Sequence, residues 1–289
     1  MGALATNRKN TVVRPIDPTD FRRLLRLIES AWRVHLRISP FELTNKVEAG
    51  PSLLAEDRVG LRGFMMIEPL RPDVGLIIAA GLRDTWSVRP YLDLLLPQVQ
   101  QVAVESSLGT MVCIGNAPWL TEELWSRGFE TSEWLSAFER VGSEPPPKPA
   151  KRPAAIRTAH KDDLSTIMAL DRLAFDRIWH KSIRNLNEAL ARASSFTVAS
   201  LDGRIVAYEW CEIYGQQAHL TRLAVHPDYQ GRGIGTQLLY QAIVDAIEAG
   251  AELISLNTQE NNHRSRALYR RYGFVDTKRR MPVLCKELK

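Results

Sequence analysis

Leu223-Ala224-Val225-His226-Pro227-Asp228-Tyr229-Gln230-Gly231-Arg232-Gly233-Ile234-Gly235 decides how this chain is read. It runs as an apolar strand end, a turn at His-Pro-Asp, a glycine-rich bend and a helix start. The helix continues through TQLLYQAIVDAIEAG, where Ile234, Leu238, Leu239, Ala242, Ala246 and Ile247 recur at helical spacing. A helix start offers free backbone N–H groups beside the positive end of the helix dipole, which suits a phosphate. Glycines at 231, 233 and 235 remove the Cβ atoms that would hold a phosphate off, and Arg232 adds a guanidinium that forks onto phosphate oxygens. The glycine spacing is not that of the dinucleotide-binding fingerprint, and no Gly-Lys-Ser/Thr closes a P-loop.

A second segment lies downstream. Glu252–Thr258 reads as a strand, followed by Asn261-Asn262-His263-Arg264-Ser265-Arg266-Ala267-Leu268-Tyr269-Arg270-Arg271-Tyr272-Gly273-Phe274. Gly273 is placed to end that helix as a left-handed cap. Upstream, Ala218–Val225 reads as a strand whose alternation sets His219, Thr221, Leu223 and Val225 on one face. Arg204–Tyr214 reads as the preceding strand and carries Glu209 and Glu212, three positions apart and therefore on opposite faces.

Together these segments resemble the GNAT N-acetyltransferases. Gln230, Gly233 and Gly235 match that family's Gln/Arg-x-x-Gly-x-Gly/Ala signature, and the Leu-Ala-Val-His-Pro strand end precedes it as usual. Asn262, Tyr269, Gly273 and Phe274 match its second segment in register, with Ser265 where alanine is usual. The resemblance covers residues 154–289. It implies an α/β (α+β) fold, a central mixed, mostly antiparallel sheet flanked by helices. It also implies acetyl transfer from acetyl-CoA to a primary amine by direct attack, with no metal. Leu223, Ala224, Val225, Gln230, Gly231, Arg232, Gly233, Ile234, Gly235, Thr236, Asn262 and Tyr269 are then expected to hold the cosubstrate. The Val225 N–H would polarise the thioester carbonyl and Tyr269 would protonate the leaving thiolate. The general base stays open: many relatives carry a glutamate at the place of Thr221 or His219, and here neither is acidic. His219 is ranked first, for its ordinary pKa near 6.5, with Glu212 and Glu209 as rivals. His226 is read as part of the turn, His263 as solvated, and Trp179 and His180 as candidates to shape the acceptor pocket.

The chain has 289 residues, 45% of them hydrophobic and 25% charged, enough for two ordinary soluble domains. No apolar run approaches the ~20 residues that span a bilayer, so no membrane partner is expected. The opening MGALATNRKN lacks the apolar stretch of a secretory leader. Three cysteines, Cys113, Cys211 and Cys285, form neither a metal spacing nor a disulfide framework, which points to a cytoplasmic setting. A net charge of +5 is spread along the chain without a nucleic-acid motif, so nucleic acid is disfavoured as a partner.

Residues 144–153, EPPPKPAKRP, read as a proline-rich linker between 1–143 and 154–289. The two sides begin alike. Val13-Arg14 pairs with Ile156-Arg157, Asp20 with Asp163 as helix N-cap candidates, and Leu24, Leu27, Ala31 and Trp32 with Ile167, Leu170, Ala174 and Phe175, all at an offset of 143. The first half has no Gln-x-x-Gly-x-Gly, opens the corresponding helix with Pro90, and carries Trp125 where the second has Tyr269. It is therefore expected to be a degenerate, non-catalytic GNAT-like domain in a tandem. The second half is similar in layout to the ribosomal-protein alanine N-acetyltransferases, and the tandem plan is similar to mycothiol synthase. The acceptor is accordingly a protein N-terminus or a small-molecule amine, with the oligomeric state open. The alternative reading is an acetyl-CoA-binding regulatory protein without catalysis.

Overall fold

The computed structural model describes residues 11–38, 40–47, 50–71 and 73–289; the opening decapeptide read above for a leader lies outside the described residues. The chain forms two compact units, the described residues up to Glu133 with Met281–Lys289, and Trp134–Arg280.

The first unit runs β1 (Val12–Pro15), α1 (Phe21–Ser30), β2 (Arg33–Leu36), α2 (Leu43–Lys46), β3 (Ser52–Asp57), β4 (Gly60–Arg71), β5 (Val74–Leu82), α3 (Val88–Glu105), β6 (Thr110–Ile114), α4 (Pro118–Trp125) and the start of β7 (Glu130–Val141). The second takes the rest of β7, then β8 (Ala155–Thr158), α5 (Leu164–Ala174), α6 (Ile183–Arg192), β9 (Ser195–Leu201), β10 (Arg204–Tyr214), β11 (Gln217–Val225), α7 (Ile234–Glu248), β12 (Leu253–Gln259), α8 (His263–Arg271) and the start of β13 (Val275–Glu287). The division does not fall in the linker, because the last strand of each half is shared. Residues 134–141 of β7 pair antiparallel with β12, from Leu135↔Gln259 to Val141↔Leu253. The end of β13 pairs antiparallel with β6, from Val283↔Ile114 to Glu287↔Thr110.

The repeat read in the sequence extends through the sheet. β3 begins at Ser52 and β9 at Ser195, β5 at Val74 and β11 at Gln217, β6 at Thr110 and β12 at Leu253, each at the same offset of 143. Asp20 and Asp163 are also equivalent, but neither caps its helix through its side chain. A 3₁₀ turn precedes each helix and holds the aspartate in helical backbone, so its carboxylate turns back instead. Asp20 takes both guanidinium nitrogens of Arg14 at 2.6 and 2.7 Å, and Asp163 those of Arg157 at 2.6 and 2.8 Å.

Within the second unit the sheet carries helices on both faces. On one face α7 and α8 bury Leu239, Ala242, Ala246, Tyr269 and Phe274 over Leu220, Leu256 and Phe138. On the other, α5 and α6 bury Ile167, Leu170 and Leu186 over Phe196, Tyr208, Trp210 and Ala224. One irregularity decides which residues face which side. The β10–β11 register passes from Trp210↔Arg222 to Cys211↔Leu220, so Thr221 is an extra residue in β11, a β-bulge. His219 therefore lies on the α5 face with Arg222 and Ala224. The expected alignment of His219 and Thr221 with Leu223 and Val225 does not hold, because the bulge inverts the alternation between them.

Candidate active site

The glycine bend and α8 enclose a cleft of about 530 Å³ in the second unit, within the ~300–1,000 Å³ range of ligand pockets. Its floor is the end of β11. The ladder between β11 and β12 is parallel and stops at Leu220↔Leu256, leaving the remaining edge of β11 open. On the other edge, the His226 N–H donates to the Val206 carbonyl at 2.8 Å, which makes Ala224↔Tyr208 a hydrogen-bonded pair. Leu223 and Val225 are then the alternate positions, and their N–H and C=O groups point away from β10 into the opening. The Val225 carbonyl accepts a hydrogen bond from Gln230 Nε2 at 3.1 Å, and Arg264 Nη1 donates to Gln230 Oε1 at 2.8 Å.

The bend itself is built for close approach. Gly231 and Gly233 have φ of +80° and +91°, left-handed conformations that favour glycine. Gly233 is the N-cap of α7 and offers no side chain to the helix amides; the first helical bond runs from Gln237 N–H to Gly233 O. The amides of Ile234, Gly235 and Thr236 thus precede the helical ladder and are donors for an anion. A Cβ on Gly235 would stand 3.3 Å from Val225 Cγ2, so glycine also lets α7 sit against the strand end. This cradle fits the pyrophosphate of a coenzyme A thioester. Among the described residues, no cluster of three or more His, Cys, Asp or Glu is placed to hold a metal.

Leu223, Ala224, Val225, Gln230, Gly231, Gly233, Ile234, Gly235, Thr236 and Asn262 all line the cleft, as the sequence suggested. Asn262 has a second duty, since its Oδ1 accepts the Ser265 N–H at 3.1 Å and caps α8. Arg232 turns outward, donating to the Asp228 carbonyl at 3.0 Å, and lines an adjoining cleft. Tyr269 stays in the core. Its ring packs on Phe138 and Phe274, and burial raises its hydroxyl to about 12 against an opposing hydrogen bond from Ser265, which does line the cleft. Among the lining residues not expected from the sequence are Arg264, Leu268 and Arg271 of α8. Their spacing of four and three marks one helical face, a signal present in the sequence.

The base candidates separate. Glu209 faces α7, fully buried, where Ser195 donates to its Oε1 at 2.9 Å and its Oε2 has no partner. Burial pushes this carboxyl up to about 8. Glu212 and His219 are directly opposite each other across β10 and β11 on the α5 face. Ser255 donates to the Ala218 carbonyl at 3.2 Å, so its oxygen accepts from His219 Nδ1 at 2.9 Å. That arrangement puts the proton on Nδ1 and the ring's basic lone pair on Nε2.

The α5–α6 connection is fixed by a buried ion pair. Arg222 donates to Asp171 Oδ2 through Nε at 2.9 Å and Nη2 at 2.6 Å, with Tyr208 donating to the same oxygen. Arg222 Nη2 also reaches the Trp179 carbonyl at 2.7 Å, the Lys181 N–H donates to Asp171 Oδ1 at 2.8 Å, and the guanidinium lies 3.5 Å over the Phe175 ring. Phe175 lines the cleft, whereas Trp179 and His180 serve the loop itself, His180 Nε2 lying 2.9 Å from the Phe175 carbonyl.

The first unit treats the same places differently. β5 pairs with β6 only from Val74↔Thr110 to Leu76↔Val112, and beyond that β2 pairs with β5 from Leu36↔Ala79 to Arg33↔Leu82. A strand of the chain thus occupies the edge that stays open in β11. Trp86 is buried against Tyr91 where the second unit carries its glycine bend.

Residues 162–274 match the Acetyltransferase (GNAT) family. A Bacillus subtilis protein assigned as a ribosomal protein bS18-alanine N-acetyltransferase is 27% identical over 124 residues, 43% of this chain and 82% of that protein. The mycothiol acetyltransferase of Clavibacter sepedonicus is 34% identical over 84 residues, 29% of this chain but 28% of its own length. A GCN5-related N-acetyltransferase of Sphaerobacter thermophilus superposes with a TM-score of 0.74 at 16% identity, covering 98% of both chains. A tandem GNAT protein from the clavulanic acid biosynthesis pathway, solved without acetyl-CoA, gives 0.71 at 14% identity over 97% of this chain and 99% of that one. At such identities the likeness is one of fold. No helix among the described residues is long and apolar enough to cross a membrane. In its second half, over residues 162–274, this chain matches the GNAT family of acetyltransferases.

Proposed function

We propose that this chain transfers an acetyl group from acetyl-CoA to a primary amine at a single site in its second half. The observation that carries the reading is the open edge of β11, whose Leu223 and Val225 amides face a cleft that ends at an uncapped helix start. Acetyl-CoA, when bound, supplies the activated acetyl carbonyl. The amides of 234–236 would hold its pyrophosphate, and the β11 edge would hold the arm and polarise the thioester. His219 lies four residues from Leu223 and six from Val225, roughly 13 and 20 Å along a strand. That favours the Leu223 N–H over the Val225 N–H as the group nearest the reacting carbonyl. His219, with its lone pair on Nε2, is the base we propose, with Glu212 beside it on the same face. Tyr269, held protonated by burial, is the proposed acid for the thiolate.

The first half is proposed to be non-catalytic, a reading supported by β2 on the edge of β5 and by Trp86 in place of the bend. The acceptor is proposed to be a protein N-terminus or a small amine, a reading supported by partial matches of this chain to relatives of both kinds. The free thiols of Cys113, Cys211 and Cys285 accord with a cytoplasmic setting.

Calorimetric titration of acetyl-CoA, followed by turnover with an acceptor found by screening, tests this. One site per chain is expected. Tyr269→Phe should keep the affinity and lose turnover by ~10²-fold or more, the range of general acid catalysis. Absence of binding removes the cosubstrate reading, and unchanged turnover in Tyr269→Phe removes that residue as the acid.

A further inference from the structure

The linker is a built part of the second unit. At its start, the buried Arg140 donates to the carbonyls of Gly142 and Glu144. At its end, the buried Gln237 of α7 clamps Ala154 from both sides, accepting its N–H at 3.2 Å and donating to its carbonyl at 2.9 Å. Between these clamps, prolines at 145, 146, 147, 149 and 153 stiffen the chain. The path brings Lys151 over the glycine bend, with its Cβ 3.9 Å from where a Cβ on Gly233 would lie.

The result is a second cleft of about 410 Å³, walled by the linker on one side and by the bend and the end of α8 on the other. Lys148, Lys151, Arg232 and Arg271 line it, and among the described residues no carboxylate does. It adjoins the acetyl-CoA cleft, sharing Gly231, Gly233, Thr236 and Arg271 with it. A ligand whose pyrophosphate sat on the α7 amides and whose arm ran along β11 would carry its next charged group away from the β11 edge, toward this adjoining cleft. In coenzyme A that group is a phosphomonoester, the 3′-phosphate, a dianion suited to converging lysine and arginine side chains.

We propose that the linker carries a recognition site for the 3′-phosphate of coenzyme A, formed by Lys148 and Lys151 against Arg271 and Arg232. This rests on the reading of the larger cleft as the acetyl-CoA site. In this arrangement the linker selects the phosphorylated form of the cosubstrate.

The test is calorimetric titration of the full chain with acetyl-CoA and with acetyl-dephospho-CoA, which lacks that phosphate. The wild-type protein should bind acetyl-CoA about tenfold more tightly, as expected for a few partly exposed ion pairs at low salt. Lys148→Ala/Lys151→Ala should erase that preference and leave the affinity for acetyl-dephospho-CoA unchanged. Both lysines are exposed and in irregular chain, so the variant should fold, which an unchanged melting temperature checks. Equal affinity of the wild type for the two ligands, or a preference that survives in the double variant, overturns the linker site. Failure of the wild type to bind either ligand overturns the cosubstrate reading on which it rests.

Discussion

At the scale of single residues, Glu209 shows how a carboxylate can look catalytic in sequence and be structural in space. It lies on the α7 face under Ser195, with Asp245 sharing the same serine hydroxyl at 3.1 Å. Burial, the largest influence, moves its carboxyl from the ordinary 4.5 up to about 8, with Asp245 adding in the same direction. Below about pH 4.5 the group is protonated folded or unfolded and costs nothing. Between there and about 8 the unfolded chain releases the proton while the folded chain keeps it, so stability falls as pH rises. Glu209→Gln removes the titration and keeps the shape. It should raise the unfolding free energy at pH 8.5 by an amount on the order of a few kcal/mol, read from urea unfolding, and leave it nearly unchanged at pH 5. An equal gain at both pH values would mean that Glu209 is not protonated in the folded protein.

At the scale of elements, the ion pair between α5 and β11 distinguishes the two halves. At the same offset of 143 the first half has Ile28 and Ala79 for Asp171 and Arg222. Where the second half pins a loop beside the cleft, the first instead lays β2 along β5. Asp171→Asn should leave Arg222 buried without its counter-charge and cost about 3–5 kcal/mol, read from denaturant unfolding. Asp171→Leu/Arg222→Met should recover part of that loss, and a loss no smaller in the double variant would argue against an electrostatic origin. Much of this arrangement was legible beforehand: the glycine bend, α7, the α8 segment and the offset of the repeat follow from local spacing and short-range chemistry. The bulge at Thr221 was not, because strand alternation carries no mark of an inserted residue until its partner strand is known. Nor was the burial of Tyr269, which depends on Phe138, a residue 131 positions earlier in the chain.

At the scale of the molecule, the shared strands mean that neither half is complete in its own sequence. Residues 134–141 are written before the linker, yet they form the strand that covers β12. Phe138 from that strand is fully buried, 6.2 Å from the Tyr269 ring, with the Arg266 and Arg270 guanidinium groups 6.0 and 5.8 Å over it. A fragment of 150–289, cut where composition marks the linker, keeps both signature segments but loses this strand and the Arg140 clamp. It would expose the β12 edge, with unpaired backbone groups open to pairing between chains, and empty the space beside Tyr269. Loss of one buried aromatic alone costs ~3–5 kcal/mol, a large part of a domain's stability. The fragment should therefore aggregate or unfold without cooperativity, whereas 134–280, which matches the second compact unit, should unfold in one transition and bind acetyl-CoA. Calorimetric unfolding and light scattering on the two fragments decide it. A soluble, cooperatively folded 150–289 would mean that β7 is dispensable to the second unit, and that the linker after all marks the boundary at which the halves fold.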